Sequence, residues 1–499
     1  MNTYGQTIQD DPPITIFMGI IDNGQGHMNH VTDPYTNFNG EVSIEIRGST
    51  SQQYPKKSYG FTPVDGLGIP YDYGFLGLPY DTDWILYAPY PDKTMMRNKL
   101  AYYMAQRMGH YSSRAKFVEV VRNGQYLGVY ELQEKIKRDK YRVDISKLSP
   151  YNISGDSLTG GYIIKVDKTT GSGTEVWYSS YDSDVFFQYH YPKDNIMAPQ
   201  QKNYINQYVD SFETALISPG FANPITGYRK YANAASFIDF YLLQELGRTV
   251  DGYRSSCFMY KDRDSKGGKL TMGPMWDFNL SYGNANYCDA YDTIGWQYNF
   301  NTICSGFSPH IPFWWNRLLQ DPMYQDSARC RWEQCRATFL NTDSINHWID
   351  SVATFLNIAQ QRNYIKWPIL GVWVEWNYFV GNTYQEEIDY LKMWIEARSK
   401  WLDMHIPGYC NPVGIAENKK LLKLLIAPNP SNGNFNVTFN NLIRSGSIEV
   451  ISCVGKMVYK EALINQTFKQ INLKDISPGF YIVKVLDGEN ILKGKIIVQ

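Results

Sequence analysis

Up to about residue 198 the apolar positions fall into short runs that alternate with polar ones, the period of half-buried strands. Runs at 14–21, 42–47, 57–61 and 84–88 are rich in Ile, Val, Tyr and Phe. Segments 116–122 and 125–133 form a predicted hairpin across Asn123-Gly124, a dipeptide suited to the positive-φ positions of a tight hairpin turn. One helix interrupts these strands, predicted over 94–108, where Leu100, Met104 and Met108 recur at helical spacing. From about 199 the period lengthens. Segments 203–216, 232–246, 322–340, 344–361 and 384–405 read as helices, the last with Ile388, Leu391, Ile395 and Leu402 on one face. Between them lies a β-rich island, 257–261 and 269–275 across the turn 264–268, which ends in Trp276-Asp277-Phe278-Asn279. The pattern predicts an α+β body over 1–410, with a β-rich front half (about 1–198) and a mainly helical back half (about 199–410).

After Pro412 the pattern changes again. A linker at 411–420 leads to short alternating segments at 422–426, 434–439, 447–451, 456–460, 468–473, 479–486 and 491–498. Turn signals at Pro428-Asn429-Pro430, Asn432-Gly433, Ser477-Pro478-Gly479 and Asp487-Gly488 separate them. Residues 421–499 are therefore expected to form a small all-β sandwich. At ~150 residues per domain the 499-residue chain has room for about three domains. The patterning resolves it into one large body and a tail.

Composition narrows the function classes. Hydrophobic residues are 43%, charged residues 19% and the net charge is −1, which describes an ordinary folded protein and offers no basic excess for nucleic acid. No apolar run reaches the ~18 residues of a membrane helix, so none is expected. Residues 1–13 have neither the basic start nor the apolar stretch of a signal peptide. Aromatic residues reach 15%, with 40 Tyr and 13 Trp, an excess that suits either a large core or a binding surface. No Cys/His grouping has zinc-site spacing. Of the cysteines, Cys288, Cys304, Cys330 and Cys410 fall where two bridges would staple loops of an exported domain, the competing expectation being buried free thiols.

There is no phosphate-binding P-loop, zinc-protease helix, nucleophile elbow or dinucleotide fingerprint, and the histidines are scattered. What the chain offers is charge at the ends of apolar strands. Arg47 precedes a hydroxyl-rich turn containing Ser51, followed by Lys56-Lys57; Glu134 ends the Asn-Gly hairpin; Asp251 follows an apolar helix; Asp277 ends a strand. Lysine, glutamate and two separated aspartates are the minimum kit for phosphoryl transfer. Asp251 and Asp277 flank the predicted hairpin, which would bring its two ends together. Asp277-Phe278-Asn279 differs from the kinase Asp-Phe-Gly tripeptide only in its last residue. A glycosidase with two carboxylates also fits the aromatic content.

Taken in order, RGSTSQQYPKKSYGF, DWILYAPYPDKTMMRNKLAYYMAQRMG, FVEVVRNGQYLGVYELQEKIKRD, GGYIIKVDK and VDGYRSSCFMYKDRDSKGGKLTMGPMWDFNLSYGN resemble the CotH kinase family over roughly 14–406. The tail, with its Pro-Asn-Pro turn, GNFNV, GKMV, LKDISPGFY and the closing Lys493-Gly494-Lys495, resembles the type A C-terminal sorting domain of the Bacteroidetes type IX secretion system over 421–499. The first resemblance implies an atypical, bilobal protein-kinase-like body that binds ATP with Mg²⁺ or Mn²⁺ and phosphorylates Ser/Thr of secreted or surface proteins. The second implies export through the type IX machinery to the cell surface or medium, and a signal peptide upstream of Met1 in the complete precursor.

Carried onto this sequence, the resemblance makes Asp251 the residue that takes or orients the substrate proton and Asp277 the metal-binding aspartate. Lys57, or Lys56 on the other face of the strand, would contact the nucleotide phosphates. Glu134 would partner that lysine or contact the nucleotide. Arg47 and Ser51 would line the phosphate end, and Trp276 or a neighbouring ring would stack on adenine. The position of the second-metal Asn in a kinase catalytic loop is held here by Ser256, a weaker ligand, so Asn279 is expected to supply the missing oxygen beside Asp277 and Asp251. The alternative is a non-catalytic, pseudokinase-like surface protein that uses its exposed rings to bind glycans or partner proteins.

Overall fold

The alternating runs of the front half pair into one antiparallel sheet. Its strands are β1 (Ile14–Ile20), β2 (Phe38–Arg47), β3 (Ser58–Val64), β4 (Trp84–Tyr87), β5 (Ala115–Arg122) and β6 (Gln125–Glu134), in the order β1-β2-β3-β4-β6-β5. Alternation sends Ile16, Val42, Ile44, Phe61, Trp84 and Leu132 into a core on one face. Arg47, Tyr87 and Glu131 occupy the opposite parity, and Glu131 stands across from Tyr87 on β4 and Phe117 on β5. The computed structural model describes residues 1–169, 173, 175–410, 424–452, 455–473, 476–487 and 490–499, and divides into two units, Met1–Cys410 and Asn411–Gln499.

A second sheet in the first unit draws its strands from distant parts of the chain. Strands β7 (Tyr162–Val166), β8 (Val176–Tyr178), β9 (Phe186–Tyr191), β10 (Cys257–Lys261) and β11 (Thr271–Met272) pair in the order β11-β10-β7-β9-β8. The expected island hairpin is therefore real but not isolated: β10 also pairs with β7, Cys257 opposite Val166. That register brings the residues after β7 beside those before β10.

The helices are α1 (Arg97–Arg107), the short α2 (Gly155–Leu158), α3 (Pro199–Ile217), α4 (Ala234–Gly247), the short α5 (Phe300–Ile303) and α6 (Trp314–Leu318), α7 (Pro322–Arg336), α8 (Thr342–Lys366) and α9 (Tyr384–His405). Helix α4 is buried around nearly its whole circumference from Ser236 to Gly247, as its mostly apolar segment FIDFYLLQEL favours, and Glu245 within it is paired with Arg398. It lies in a core that also takes Leu100 and Met104 of α1, Phe187 of β9, Phe212 of α3, Trp332 of α7 and Leu391 of α9. The aromatic excess is largely structural: Trp84, Trp314, Trp315, Trp332 and Trp394 are fully buried. Disulfides join Cys288 to Cys304 and Cys330 to Cys410, whereas Cys257 and Cys335 are buried free thiols. Among the described residues no helix is long and apolar enough to cross a membrane.

The second unit is all β: β12 (Leu425–Ala427), β13 (Asn434–Ser452), β14 (Met457–Asn472), β15 (Gly479–Asp487) and β16 (Asn490–Val498). The sequence reading expected a sandwich of shorter strands. Instead 434–439 and 447–451 are halves of β13, which continues through a register break between Thr438 and Ile443, and β14 (Met457–Asn472) joins most of the expected segments 456–460 and 468–473 into one strand. One sheet, β12-β13-β15-β16 with β14 on β13, results. Phe435 and Val437 of the first half of β13 share a core with Ile448 and Val450 of the second, so the bend does the work expected of a second sheet. The expected linker 411–420, residues 422–423, Cys453 and Gly488 lie outside the described residues.

Candidate metal and phosphate site

Three carboxylates lie near enough to influence one another at strand ends of the second sheet, Asp167 and Asp251 both raising the proton affinity of Asp277. Asp167 follows β7, Asp251 sits in the turn after α4, and Asp277 lies beyond β11. The turn at Asp251 is tight. Its carbonyl accepts from Arg254 and Ser255 N–H, and a Cβ on Gly252 would stand 2.5 Å from Gln244 Oε1, so only glycine fits there. Arg254, 5% exposed, holds the Asp251 carboxylate at 3.1 Å and donates to the Pro309 carbonyl, which fixes the direction in which Asp251 points.

Asp277 has φ +67°, a conformation disfavoured for a residue with a Cβ. Helix α1 holds this turn: Asn98 Oδ1 accepts the Phe278 N–H at 2.6 Å and the Tyr102 hydroxyl lies 3.4 Å from the Asp277 nitrogen. The Ser256 hydroxyl lies 3.5 Å from Asp277 Oδ2, the limit of a hydrogen bond. Burial pushes the Asp277 carboxyl up to about 6; the Asp251 and Asp167 carboxylates add to the rise, and Lys168 and Arg47 oppose it. Neighbouring carboxylates with a hydroxyl beside them are oxygen donors of the kind Mg²⁺ and Mn²⁺ prefer.

Two cations face this cluster. Arg47, at the end of β2, lies 5.9 Å over the Trp276 ring, and desolvation lowers its proton affinity while Asp277 counteracts that. Lys168 donates to Thr50 Oγ1 at 3.2 Å, which ties the hydroxyl-rich turn to the carboxylates. Ser51 belongs to that turn; its side chain folds over Gly48, where a Cβ would stand 2.1 Å from Ser51 Oγ. Arg47 thus faces Asp277, and the turn that contains Ser51 is tied to Lys168.

Other expected residues stand elsewhere. Lys56 is 2% exposed and donates to the Val129 carbonyl and Asn363 Oδ1, which clamps α8 to β6. Burial lowers its pKa to about 7. Lys57 donates to the Gln52 carbonyl within its own loop. Glu134 does not pair with Lys57. It is fully buried and binds Arg114 through both oxygens (2.7 and 2.8 Å), with Arg142 at 3.3 Å. Trp276 is stacked on Tyr102 with centroids 6.0 Å apart and has Arg47 over its ring, so its indole is engaged by the protein itself. Asn279 lies two positions past Asp277 and accepts from Asn284 Nδ2 through its main-chain carbonyl.

Sequence reasoning missed Asp167 and Lys168. The signal was available in GGYIIKVDK, a carboxylate closing an apolar strand, the same feature that singled out Asp277. Its significance depends on the β7–β10 pairing, which sequence period does not report.

Two family models match the chain. The model described as CotH kinase protein matches residues 44–402, a span containing every residue of the cluster, and the model described as secretion system C-terminal sorting domain matches residues 425–499. No curated protein matches the chain.

Proposed function

The chain belongs to the CotH kinase family and carries a secretion-system sorting domain; from that premise we propose that it is an exported atypical protein kinase of the type IX route. Its reaction transfers the γ-phosphate of ATP to Ser/Thr hydroxyls of extracellular or cell-surface proteins. The observation that carries this reading is that the charges of Asp167, Asp251, Arg47 and Lys168 all act on the Asp277 carboxyl, with Ser256 Oγ 3.5 Å from its Oδ2. We take the six-stranded sheet with α1 as one lobe and the second sheet with α3, α4 and α7 to α9 as the other.

Asp277, Asp167 and Ser256, with Asn279 beside them, would hold Mg²⁺ or Mn²⁺, which supplies charge neutralisation for the nucleotide phosphates. Arg47, Lys168 and the turn with Ser51 would receive the phosphate oxygens. Asp251, oriented by Arg254, takes the proton of the acceptor hydroxyl as its oxygen bonds to the γ-phosphorus; the bond to the β–γ bridging oxygen breaks and ADP leaves. Lys56, Lys57 and Glu134 have no direct part in this scheme, since each is committed to a structural contact.

The test is Mn²⁺-ATP binding to the full chain by thermal shift and equilibrium dialysis. Binding in the wild type and its loss in Asp277→Asn support the reading. A wild-type protein that ignores Mn²⁺-ATP but shifts with polysaccharide supports the non-catalytic alternative.

A further inference from the structure

Arg254, which directs the Asp251 carboxylate, is itself held on two sides by a single later segment of the chain. Its guanidinium carbon lies 4.3 Å from the centroid of the Phe300 ring of α5, and Nη1 donates to the Pro309 carbonyl at 3.1 Å. The remaining nitrogen, Nη2, reaches Asp251 Oδ1 at 3.1 Å. Phe300 is as fully buried as Arg254. A planar cation stacked on a ring and hydrogen-bonded at one edge has little freedom to turn, so Phe300 and Pro309 decide where Nη2 points.

Phe300 and Pro309 flank a disulfide. Cys304, the residue after α5, is bridged to Cys288, and its N–H donates to the Phe300 carbonyl at 2.7 Å. Tyr287, beside Cys288, stacks on Phe307 with centroids 6.3 Å apart, and Phe307 meets the Phe300 ring edge-on at the same distance. Residues 305–308 lie on the surface. The arc then closes where Asn301 and Ile311 exchange two hydrogen bonds (2.8 and 2.9 Å) and where the His310 ring meets Asp182 at 2.9 Å. Cys288 and Cys304 are each partly exposed, so the bridge is open to thiol exchange, whereas the free thiols Cys257 and Cys335 are buried.

We propose that residues 287–310 form a clamp that positions Asp251 through Arg254, with Phe300 as its positioning residue, and that the clamp is complete only when Cys288 and Cys304 are joined. The catalytic consequence rests on Asp251 being the proton acceptor of the proposed transfer; the clamp itself does not. Closing the bridge takes two electrons and two protons from the two thiols, and a disulfide on an exchange partner accepts them and becomes two thiols. Asp277, Asp167 and Arg47 belong to other elements, so Mn²⁺-ATP binding does not depend on the bridge. The reduced chain therefore holds nucleotide with an undirected Asp251. It gains full transfer activity once it has left the reducing interior of the cell, as a sorting domain requires it to do.

The experiment compares the full chain with its Cys288→Ser/Cys304→Ser and Cys330→Ser/Cys410→Ser variants by hydrogen–deuterium exchange, beside Mn²⁺-ATP dialysis and ADP formation with casein as acceptor. The N–H groups of Gly252, Arg254 and Ser255 bond to the Thr249 and Asp251 carbonyls, so their exchange reports the Asp251 turn; the Phe278 N–H, on Asn98, reports the Asp277 turn. Without the Cys288–Cys304 bridge, exchange at 252–255 should be about tenfold faster and that at Phe278 unchanged. The kcat should fall at least about tenfold with KM for Mn²⁺-ATP within about twofold, and Phe300→Leu should reproduce that split with the bridge intact. The Cys330–Cys410 bridge closes the longer loop, 80 residues against 16, so general loosening would act more strongly at 252–255 in its variant; the proposal requires the reverse. Should the Cys288 variant fail to fold, exchange on the folded wild type before and after mild dithiothreitol treatment makes the same comparison. Exchange at 252–255 indifferent to the Cys288–Cys304 bridge, faster still in the Cys330 variant, or accelerated with kcat unchanged overturns the proposal. Bridge-dependent exchange in a wild type that binds no Mn²⁺-ATP overturns the kinase reading and leaves the clamp intact.

Discussion

Asp277 offers the most quantitative test of the site. Burial, with Asp251 and Asp167 nearby, moves its carboxyl from the ordinary value of 3.8 to about 6. At ~1.4 kcal/mol per tenfold, that displacement is about 3 kcal/mol of disfavoured ionisation. Two consequences of opposite sign follow. A carboxyl raised in the folded state stabilises the fold most below its unfolded pKa, and that contribution is lost as pH rises through about 6. The metal-free protein at pH 7.5 therefore carries a burdened charge, and Asp277→Asn should raise its melting temperature. For a unit of about 410 residues ~1 kcal/mol moves Tm by about 1 °C, so the gain is at most about 3 °C. Asparagine is the right substitution because it tolerates the positive φ of this position better than alanine. Mn²⁺, by contrast, needs the ionised carboxylate, so affinity should fall about tenfold between pH 7 and pH 5 as Asp277 takes up its proton. Asp251→Asn removes one neighbouring negative charge and should shift that midpoint to lower pH. The assays are calorimetric melting with and without Mn²⁺ and Mn²⁺ titration across pH. Mn²⁺ affinity unchanged between pH 7 and 5, or an Asp277→Asn protein that Mn²⁺ still stabilises, would refute the reasoning.

Arg47→Ala should weaken Mn²⁺-ATP binding at least about tenfold while Lys57→Ala stays within about twofold, because Arg47 faces Asp277 and Lys57 is engaged by its own loop; equal effects in dialysis would return the phosphate contact to the lysine pair. Glu134→Ala removes the buried carboxylate that Arg114 holds through two hydrogen bonds and that Arg142 shares with Asp81, and should cost about 2–3 kcal/mol in denaturant melts, with nucleotide affinity per folded molecule unchanged. Reduction should destabilise the body strongly, since the bridges close loops of 16 and 80 residues, worth about 3 and about 4.5 kcal/mol in the chain-entropy account; identical melts of Cys330→Ser and wild type would contradict it.

The legible parts of the fold were those written in local period. Helices α3, α4, α7, α8 and α9 stand where apolar spacing put them, because each buries a continuous face of its own. The Asn123-Gly124 turn fixed the β5–β6 register through its own backbone preference, with φ +50° and +77° at the two residues. The second sheet was not legible. Strand β10 was recognised beside β11, but its other edge pairs with β7, almost a hundred residues earlier in the chain, and no local period encodes a partner that distant. In the tail the reverse occurred: 434–439 and 447–451 read as separate strands, yet they run on as one strand, β13, with an irregularity between Thr438 and Ile443, because the apolar positions on both sides face one core.

The same limit explains the candidate site. Sequence spacing found Asp251 and Asp277, each marked by local turn chemistry, and Arg47 at a strand end. It could not assign the lysine pair, since strand alternation says that Lys56 and Lys57 point apart without saying which way either points. Tertiary packing decided the matter by turning Lys56 onto Asn363 of α8, far along the chain. It also could not weigh Ser256, a poor metal ligand where a kinase catalytic loop carries Asn. The β7–β10 register places Val166 opposite Cys257, so Asp167 arrives next to Ser256. In the proposed kinase reading, a carboxylate from the adjacent strand would replace the oxygen lost with the amide. Because a carboxylate brings a charge that an amide does not, the replacement also accounts for part of the upward pull on Asp277. Asp167→Asn should therefore weaken Mn²⁺ binding at pH 7 while moving the Asp277 midpoint down, a pairing of effects that a purely structural aspartate would not produce.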